Sequence, residues 1–108
     1  MKVIIDFTKI TDLETFHAAF TETMGFPQSN GHNLDAWIDC MSRIDNLDAG
    51  LSSFTISPNE SLEMIIIGTG NALKDCPDVF NAFLEGTASV NQSFLKKRSK
   101  TILKVILV

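Results

Sequence analysis

Cysteine and histidine are scarce in this chain. The 108 residues include two cysteines, Cys40 and Cys76, and two histidines, His17 and His32. Two cysteines cannot build a disulfide framework, and the set is too sparse for the usual zinc-ligand spacings. We therefore expect two partly buried thiols, His17 near the surface of a helix, and no metal or cofactor.

Long apolar runs are also lacking. No segment approaches the roughly 20 apolar residues of a membrane-spanning helix. Asp6 interrupts the first apolar stretch at a point where a signal peptide would continue. There is no internal repeat and no low-complexity segment. Because 44% of the residues are hydrophobic and 20% are charged, we expect one globular domain spanning 1–108. Because no signal peptide and no membrane span are visible, we expect this domain in the cytoplasm and not in a membrane.

Charge is distributed unevenly along the chain. Residues 1–95 contain four basic and 13 acidic residues, a net charge of −9, whereas residues 96–108 carry +5. A body this acidic repels nucleic acid and attracts basic proteins. The basic end has no interleaved aromatic residues, so it fits the end of a helix leading into a strand better than a nucleic-acid site.

The hydrophobic pattern predicts strands alternating with helices. Predicted strands cover residues 2–7, 62–68 and 101–108; predicted helices cover about 12–24, 33–46 and 77–95, with a further short helix beginning within 71–75. Helices thus separate successive strands, and each strand is nearly all apolar. We therefore expect an α/β fold with a small three-stranded parallel sheet flanked by helices. The apolar run at Met64–Ile67 suits a central strand buried on both faces.

Local signals place the ends of these helices. Thr11 and Glu14 have the spacing of a capping box at the start of the first helix, and Gly25 is a suitable stop. Pro77 is favoured at the first position of the last helix. Gly86 weakens the middle of that helix, where we expect a bend. Residues 47–61 are polar and irregular.

The helix predicted from residue 33 has an apolar stripe and a polar face. The stripe consists of Leu34, Trp37, Ile38, Met41 and Ile44, and the polar face of His32, Asp35, Asp39, Ser42 and Asn46. Asp35 and Asp39 are four residues apart and therefore neighbours, and Arg43 can pair with Asp39. Spacing alone fits an ordinary solvated face, a docking site for a partner's basic side chains, or a pair of acid/base carboxylates.

Eleven residues in this region, Gly31 to Met41, carry a more specific signal. They read Gly-His-Asn-Leu-Asp-Ala-Trp-Ile-Asp-Cys-Met. This resembles the Gly-x-Asn-Leu-Asp-Ala-Leu-Trp-Asp-Cys-Leu segment of the barstar family of ribonuclease inhibitors. The order of strands and helices outside the segment is similar too, although residues 47–61 and 86–97 are longer than in the family. The resemblance implies a barstar-like fold for the whole chain.

The resemblance also implies a function and a set of residues for it. The function is that of a non-enzymatic immunity protein or antitoxin, which plugs the active site of a basic, secreted nuclease, most often a ribonuclease, inside the producing cell. Asp39 matches the aspartate that stands where a substrate phosphate would lie, and Glu85 matches a later glutamate that contacts the enzyme. The expected partner-binding residues are Gly31, His32, Asn33, Asp35, Asp39, Ser42 and Glu85, with Asn33 as helix cap.

Two departures from the family segment bear on the partner. Ser29 and Asn30 stand where the family has aromatic residues, and Trp37-Ile38 replaces Leu-Trp. Aromatic side chains would anchor an interface, whereas Trp37 lies on the apolar stripe and is expected in the core. Two alternatives therefore stay open: a different nuclease partner, or a barstar-like interaction module with no nuclease target.

Overall fold

A computed structural model of the protein describes residues 1–26, 33–46, 56 and 60–108. These residues form three strands, four α-helices and one 3₁₀ helix. In chain order they are β1 (Lys2–Asp6), the 3₁₀ helix (Phe7–Lys9), α1 (Leu13–Met24), α2 (Leu34–Met41), β2 (Ser61–Ile67), α3 (Thr69–Asp75), α4 (Pro77–Lys96) and β3 (Ile102–Leu107).

The three strands form one parallel sheet in the order β1-β2-β3. Ile4 of β1 aligns with Ile65 of β2, which aligns with Ile106 of β3. Helices fill the connections between successive strands, because parallel neighbours cannot be joined by a tight turn. The predicted α/β fold with a three-stranded parallel sheet is confirmed.

Burial alternates along the strands, because the described core lies on one face of the sheet. Ile5, Leu62 and Leu103 point into that core and are 1%, 0% and 3% exposed. On the opposite face, Ile4 is 58% and Ile106 38% exposed. The prediction that the central strand is buried on both faces is therefore wrong. The sequence of β2 is mostly apolar, but only one face of the strand packs against the described core.

A cluster of aromatic rings joins the helices to one another. Neighbouring centroids lie between 4.9 and 6.3 Å apart in tilted or edge-to-face arrangements, a geometry that aromatic pairs favour. Trp37 of α2 is 3% exposed, which confirms its predicted place in the core. The cluster consists of Phe7, Phe16, Phe20, Trp37, Phe80 and Phe83.

Several helix ends follow the predicted signals, but α2 ends at Met41 and not near residue 46, α3 begins at Thr69 and not within 71–75, and the cap of α1 is shifted by one residue. Asp12, not Thr11, caps α1: the Thr15 N–H donates to the Asp12 carboxylate at 2.8 Å, and Thr15 Oγ1 accepts from the Asp12 N–H at 3.1 Å. The predicted capping box of Thr11 and Glu14 is thus wrong by one residue, because aspartate and threonine supply the same reciprocal bonds. Gly25 ends α1 at a positive φ of 69°.

The histidine and cysteine predictions have different outcomes. His17 is 5% exposed and packs edge-on against Phe16, so its predicted position at the surface or boundary of the fold is wrong. Cys40 and Cys76 are buried thiols and not disulfide partners, as expected. Burial raises the pKa of the Cys76 thiol, and the nearby Asp75 charge raises it further, which makes this thiol a poor nucleophile at neutral pH.

Gly86 lies where α4 packs closely against α2. A Cβ atom at this position would lie 2.8 Å from Cζ3 of Trp37 and 3.3 Å from Cδ1 of Leu34. Helix α4 is continuous through Gly86. Close packing therefore explains the glycine, and the expected bend is not needed to account for it.

Replacing Gly86 with alanine tests this contact. The added methyl group would overlap the Trp37 ring, at a cost of about 1–3 kcal/mol that exceeds the roughly 1 kcal/mol gained in helix propensity. We expect Gly86→Ala to lower the free energy of unfolding in urea. Gly70→Ala is the matched control, since a Cβ there meets no atom within 4 Å. Equal effects of the two substitutions would contradict the packing argument.

The cap of α1 predicts a pH dependence of stability. Hydrogen bonds from the backbone N–H and hydroxyl of Thr15 lower the pKa of Asp12 below its ordinary 3.8. A depressed folded-state pKa stabilises the fold above the unfolded-state value, and this contribution is lost as pH falls through both. We expect Asp12→Asn to be less stable than wild type at neutral pH, with the difference in urea midpoint shrinking below about pH 4. A difference independent of pH would rule out this contribution.

Candidate partner-binding surface

Helix α2 begins at a defined cap. The Ala36 N–H donates to Asn33 Oδ1 at 2.7 Å, and the Trp37 N–H donates to the Asn33 carbonyl at 3.1 Å. The predicted capping role of Asn33 is confirmed. This cap places Asp35 in the first turn, where the positive end of the helix dipole favours a carboxylate.

Asp35 and Asp39 are exposed one turn apart on the outer side of α2. Arg43 Nη2 lies 3.2 Å from Asp39 Oδ1, and both side chains are 53% exposed, so the predicted pair forms. An exposed pair at this spacing contributes only about 0.3–0.5 kcal/mol. A cation from another molecule can therefore replace Arg43 at little cost. Asp35 has no ion pair within the part of the chain that the structure describes.

Ser42 ends α2 and is only partly exposed. Its hydroxyl donates to the Ile38 carbonyl at 2.6 Å, and its own carbonyl accepts from Lys97 Nζ at 2.9 Å. The hydroxyl therefore retains only its capacity as an acceptor for another molecule. This makes Ser42 a weaker candidate for partner binding than either aspartate.

Two cations lie at the C-terminal end of α2, where the helix dipole favours them. They are Arg43 and Lys97, and Lys97 Nζ also lies 5.3 Å from the centroid of the Phe94 ring. Sequence reasoning missed Lys97, because the contact joins residues 55 positions apart. The outer surface of α2 is thus acidic at its start and mixed in charge at its end.

Glu85 is exposed on α4, next to the glycine that packs against Leu34 and Trp37. Since Gly86 meets the start of α2 and Lys97 meets its end, the two helices run in the same direction. Glu85 therefore belongs to the same end of this helix pair as Asp35. We call the set Asn33, Asp35, Asp39, Ser42 and Glu85 the α2–α4 surface.

A second contact missed from sequence holds α2 against the sheet. Asp45, just after α2, accepts from Ser99 Oγ at 3.2 Å and from Thr101 Oγ1 at 3.3 Å. These hydroxyls immediately precede β3. The acidic residue Asp45 therefore positions α2, whereas Asp35 and Asp39 are available to other molecules.

Some predicted residues lie outside the described ranges. Gly31 and His32 fall within residues 27–32, as do Ser29 and Asn30, so their roles stay predictions. Most of the irregular segment 47–61 also lies outside the described ranges. Ile56 within it is described: it is 1% exposed, and its N–H donates to the Ile44 carbonyl at 3.0 Å.

The third interpretation of the aspartate pair, acid/base chemistry, requires a cleft around it. Three grooves lined by described residues have volumes of about 450, 400 and 350 Å³, and neither Asp35 nor Asp39 lines any of them.

No cluster of three metal-binding side chains occurs among the described residues. No helix in the described ranges is long and apolar enough to cross a membrane.

Comparison with known proteins agrees with the resemblance seen in the segment Gly31 to Met41. The sequence model of one family, described as barstar (barnase inhibitor), matches residues 1–106. A search of curated proteins finds no significant match. The family match covers nearly the whole chain, including the helices that carry the α2–α4 surface. The chain therefore belongs to the barstar family, whose members are inhibitors of barnase-type ribonucleases and not enzymes.

Proposed function

We propose that this protein inhibits a nuclease by placing the α2–α4 surface in the active site of that enzyme. The partner is a basic, secreted ribonuclease or nuclease toxin, and the inhibitor acts as an immunity protein in the cytoplasm of the cell that makes it. The observation that supports this most directly is the exposed Asp39 carboxylate on a firmly capped helix, where an exchangeable arginine is its ion-pair partner among the described residues.

Asp39 has the chemistry of a phosphate substitute. A carboxylate among guanidinium groups makes short, charge-assisted hydrogen bonds, as a substrate phosphate does. In the unbound protein one guanidinium, that of Arg43, already lies against Oδ1. The partner's arginines would take over this interaction in a cleft from which water is excluded, where each such bond is stronger than on an open surface.

The charge distribution favours one orientation of approach. Residues 1–95 carry a net charge of −9, which attracts a basic protein and speeds encounter. Within the helix pair, Asp35 and Glu85 lie towards one end, and Arg43 and Lys97 towards the other. A basic active site would therefore meet the start of α2 first, next to the family's loop glycine, Gly31.

A second function is favoured by a specific feature of the sequence. Ser29 and Asn30 replace the aromatic residues that precede the loop glycine in the family, which removes apolar anchors from the expected interface. The alternative is an interaction module that uses the same surface on a partner other than a nuclease.

Affinity capture separates these two functions. The immobilised protein is exposed to extract and medium of the producing organism, the retained protein is identified, and ribonuclease and deoxyribonuclease activities of that partner are measured with and without the inhibitor. Stoichiometric loss of nuclease activity supports inhibition. A retained partner without nuclease activity supports the interaction module instead.

Asp39→Ala tests the site itself with the captured partner. Removing one member of a buried charge pair costs about 3 kcal/mol, so we expect affinity to fall at least 100-fold, measured by calorimetry. Asp75→Ala is the matched control: Asp75 is an exposed aspartate at the end of α3, and its loss changes net charge equally. Unchanged affinity in Asp39→Ala would exclude this residue from the interface.

The Arg43 pair predicts a gain of affinity. If the partner must displace Arg43 from Asp39, then Arg43→Ala removes a competing interaction worth up to about 0.5 kcal/mol, and affinity should rise about twofold. The same substitution in an Asp39→Ala background should have no effect. A loss of affinity in Arg43→Ala would instead show that the arginine contacts the partner.

A further inference from the structure

Among the described residues, no strand pairs with one edge of β3. It pairs only with β2 in the described sheet. The Val108 N–H donates to the Ile66 carbonyl at 3.1 Å, so the even-numbered residues of β3 direct their backbone groups towards β2. The odd-numbered residues of β3 direct their N–H and C=O groups away from the sheet, as alternation along a parallel strand requires. They are Leu103, Val105 and Leu107.

The first part of this edge is closed by a side chain. Asn91 of α4 donates from Nδ2 to the Leu103 carbonyl at 3.1 Å, and its Oδ1 accepts from the Leu103 N–H at 2.7 Å. The carboxamide thus takes the place of a neighbouring strand. Proteins commonly protect sheet edges in such ways, because open edges pair with other chains.

In the described structure, no side chain closes the second part of the edge in this way. No hydrogen bond within the described part of the chain involves the outward backbone groups of Val105 or Leu107. The side chains here are apolar and accessible: Ile106 is 38% and Leu107 56% exposed. After Lys104, β3 carries none of the charges, prolines or bulges that usually discourage pairing.

We propose that this open half of β3 binds a second copy of the chain, forming a continuous six-stranded sheet across a two-fold axis. The two β3 strands would be antiparallel, with Ile106 opposite Ile106 of the partner subunit. Val105 would then exchange both backbone hydrogen bonds with the partner's Leu107, and Leu107 with the partner's Val105. A two-fold contact makes the same open groups serve as donors and acceptors on both copies.

The closed part of the edge excludes the neighbouring register that would move the pair towards Leu103. Sliding the pair to centre it on Val105 would set Leu107 against the partner's Leu103, whose backbone groups Asn91 already occupies. The proposed register leaves the Asn91 bonds intact. It also puts Lys104 opposite the partner's Val108, so that no like charges face each other across the junction.

Sedimentation equilibrium tests for this dimer, which goes beyond the proposed inhibitor function and needs no nuclease. The contact is shorter than a standard interface, so we expect a dissociation constant on the order of 100 μM, with the mean mass rising from monomer towards dimer between about 10 μM and 1 mM. A wild-type protein that stays monomeric throughout that range would overturn the proposal.

Matched lysine substitutions locate the contact. Leu107→Lys should weaken the dimer at least tenfold, since it places a charge in the apolar junction. Leu73→Lys on α3 is the control, because Leu73 is 57% exposed and Leu107 56%. Equal weakening by the two substitutions, or none by Leu107→Lys, would show that any dimer forms elsewhere.

Cross-linking tests the register. Residues opposite each other in a non-hydrogen-bonded antiparallel pair have Cα atoms about 4.5 Å apart, within the range of a disulfide. Ile106→Cys should therefore give a covalent dimer on mild oxidation, seen on a non-reducing gel, whereas Lys104→Cys should not. The native cysteines are buried. Cross-linking of both variants, or of neither, would overturn the proposed register.

Discussion

The packing of Trp37 against Gly86 is the contact on which the candidate binding surface depends. The indole ring lies within the aromatic cluster, and the glycine lets α4 approach to a distance that no side chain would permit. A helix turns about 100° per residue, so a tryptophan fixed inwards leaves Asp35 and Asp39 on the outer side. The orientation of the carboxylates thus follows from the core, and no hydrogen bond of their own is needed to set it.

Acidic residues in this small protein serve two different purposes. Asp12 and Asp45 accept hydrogen bonds from nearby hydroxyls and N–H groups, and they fix the start of α1 and the junction between α2 and β3. Asp35 and Asp39 are exposed, and the ion pair of Asp39 with Arg43 is weak. The net negative charge therefore does not indicate how many acidic residues can bind a partner, since some of them hold the structure together.

The sequence predicted contacts between near neighbours far better than contacts between distant ones. The strand and helix order, the Asn33 cap, the Pro77 start and the Asp39–Arg43 pair all depend on spacings of a few residues, and each agrees with the structure. Apart from local shifts such as that of the α1 cap, the errors arose where tertiary packing decided the outcome: His17 is buried, β2 is covered on one face, and Lys97 reaches a carbonyl 55 positions away. The role of Gly86 could not be predicted for the same reason, because the sequence around a helical glycine does not identify the residues that pack against it.

The fold keeps the candidate inhibitor surface apart from the free sheet edge. Helix α2 is tied to the beginning of β3 through the bonds of Asp45 with Ser99 and Thr101. The unprotected part of the edge is centred on Ile106, five residues beyond Thr101, which is about 16 Å along an extended strand. Because Asn91 closes the intervening stretch, a second chain added at Ile106 would stop short of the α2 junction. The proposed self-association and the proposed binding of a nuclease would therefore use separate parts of the protein.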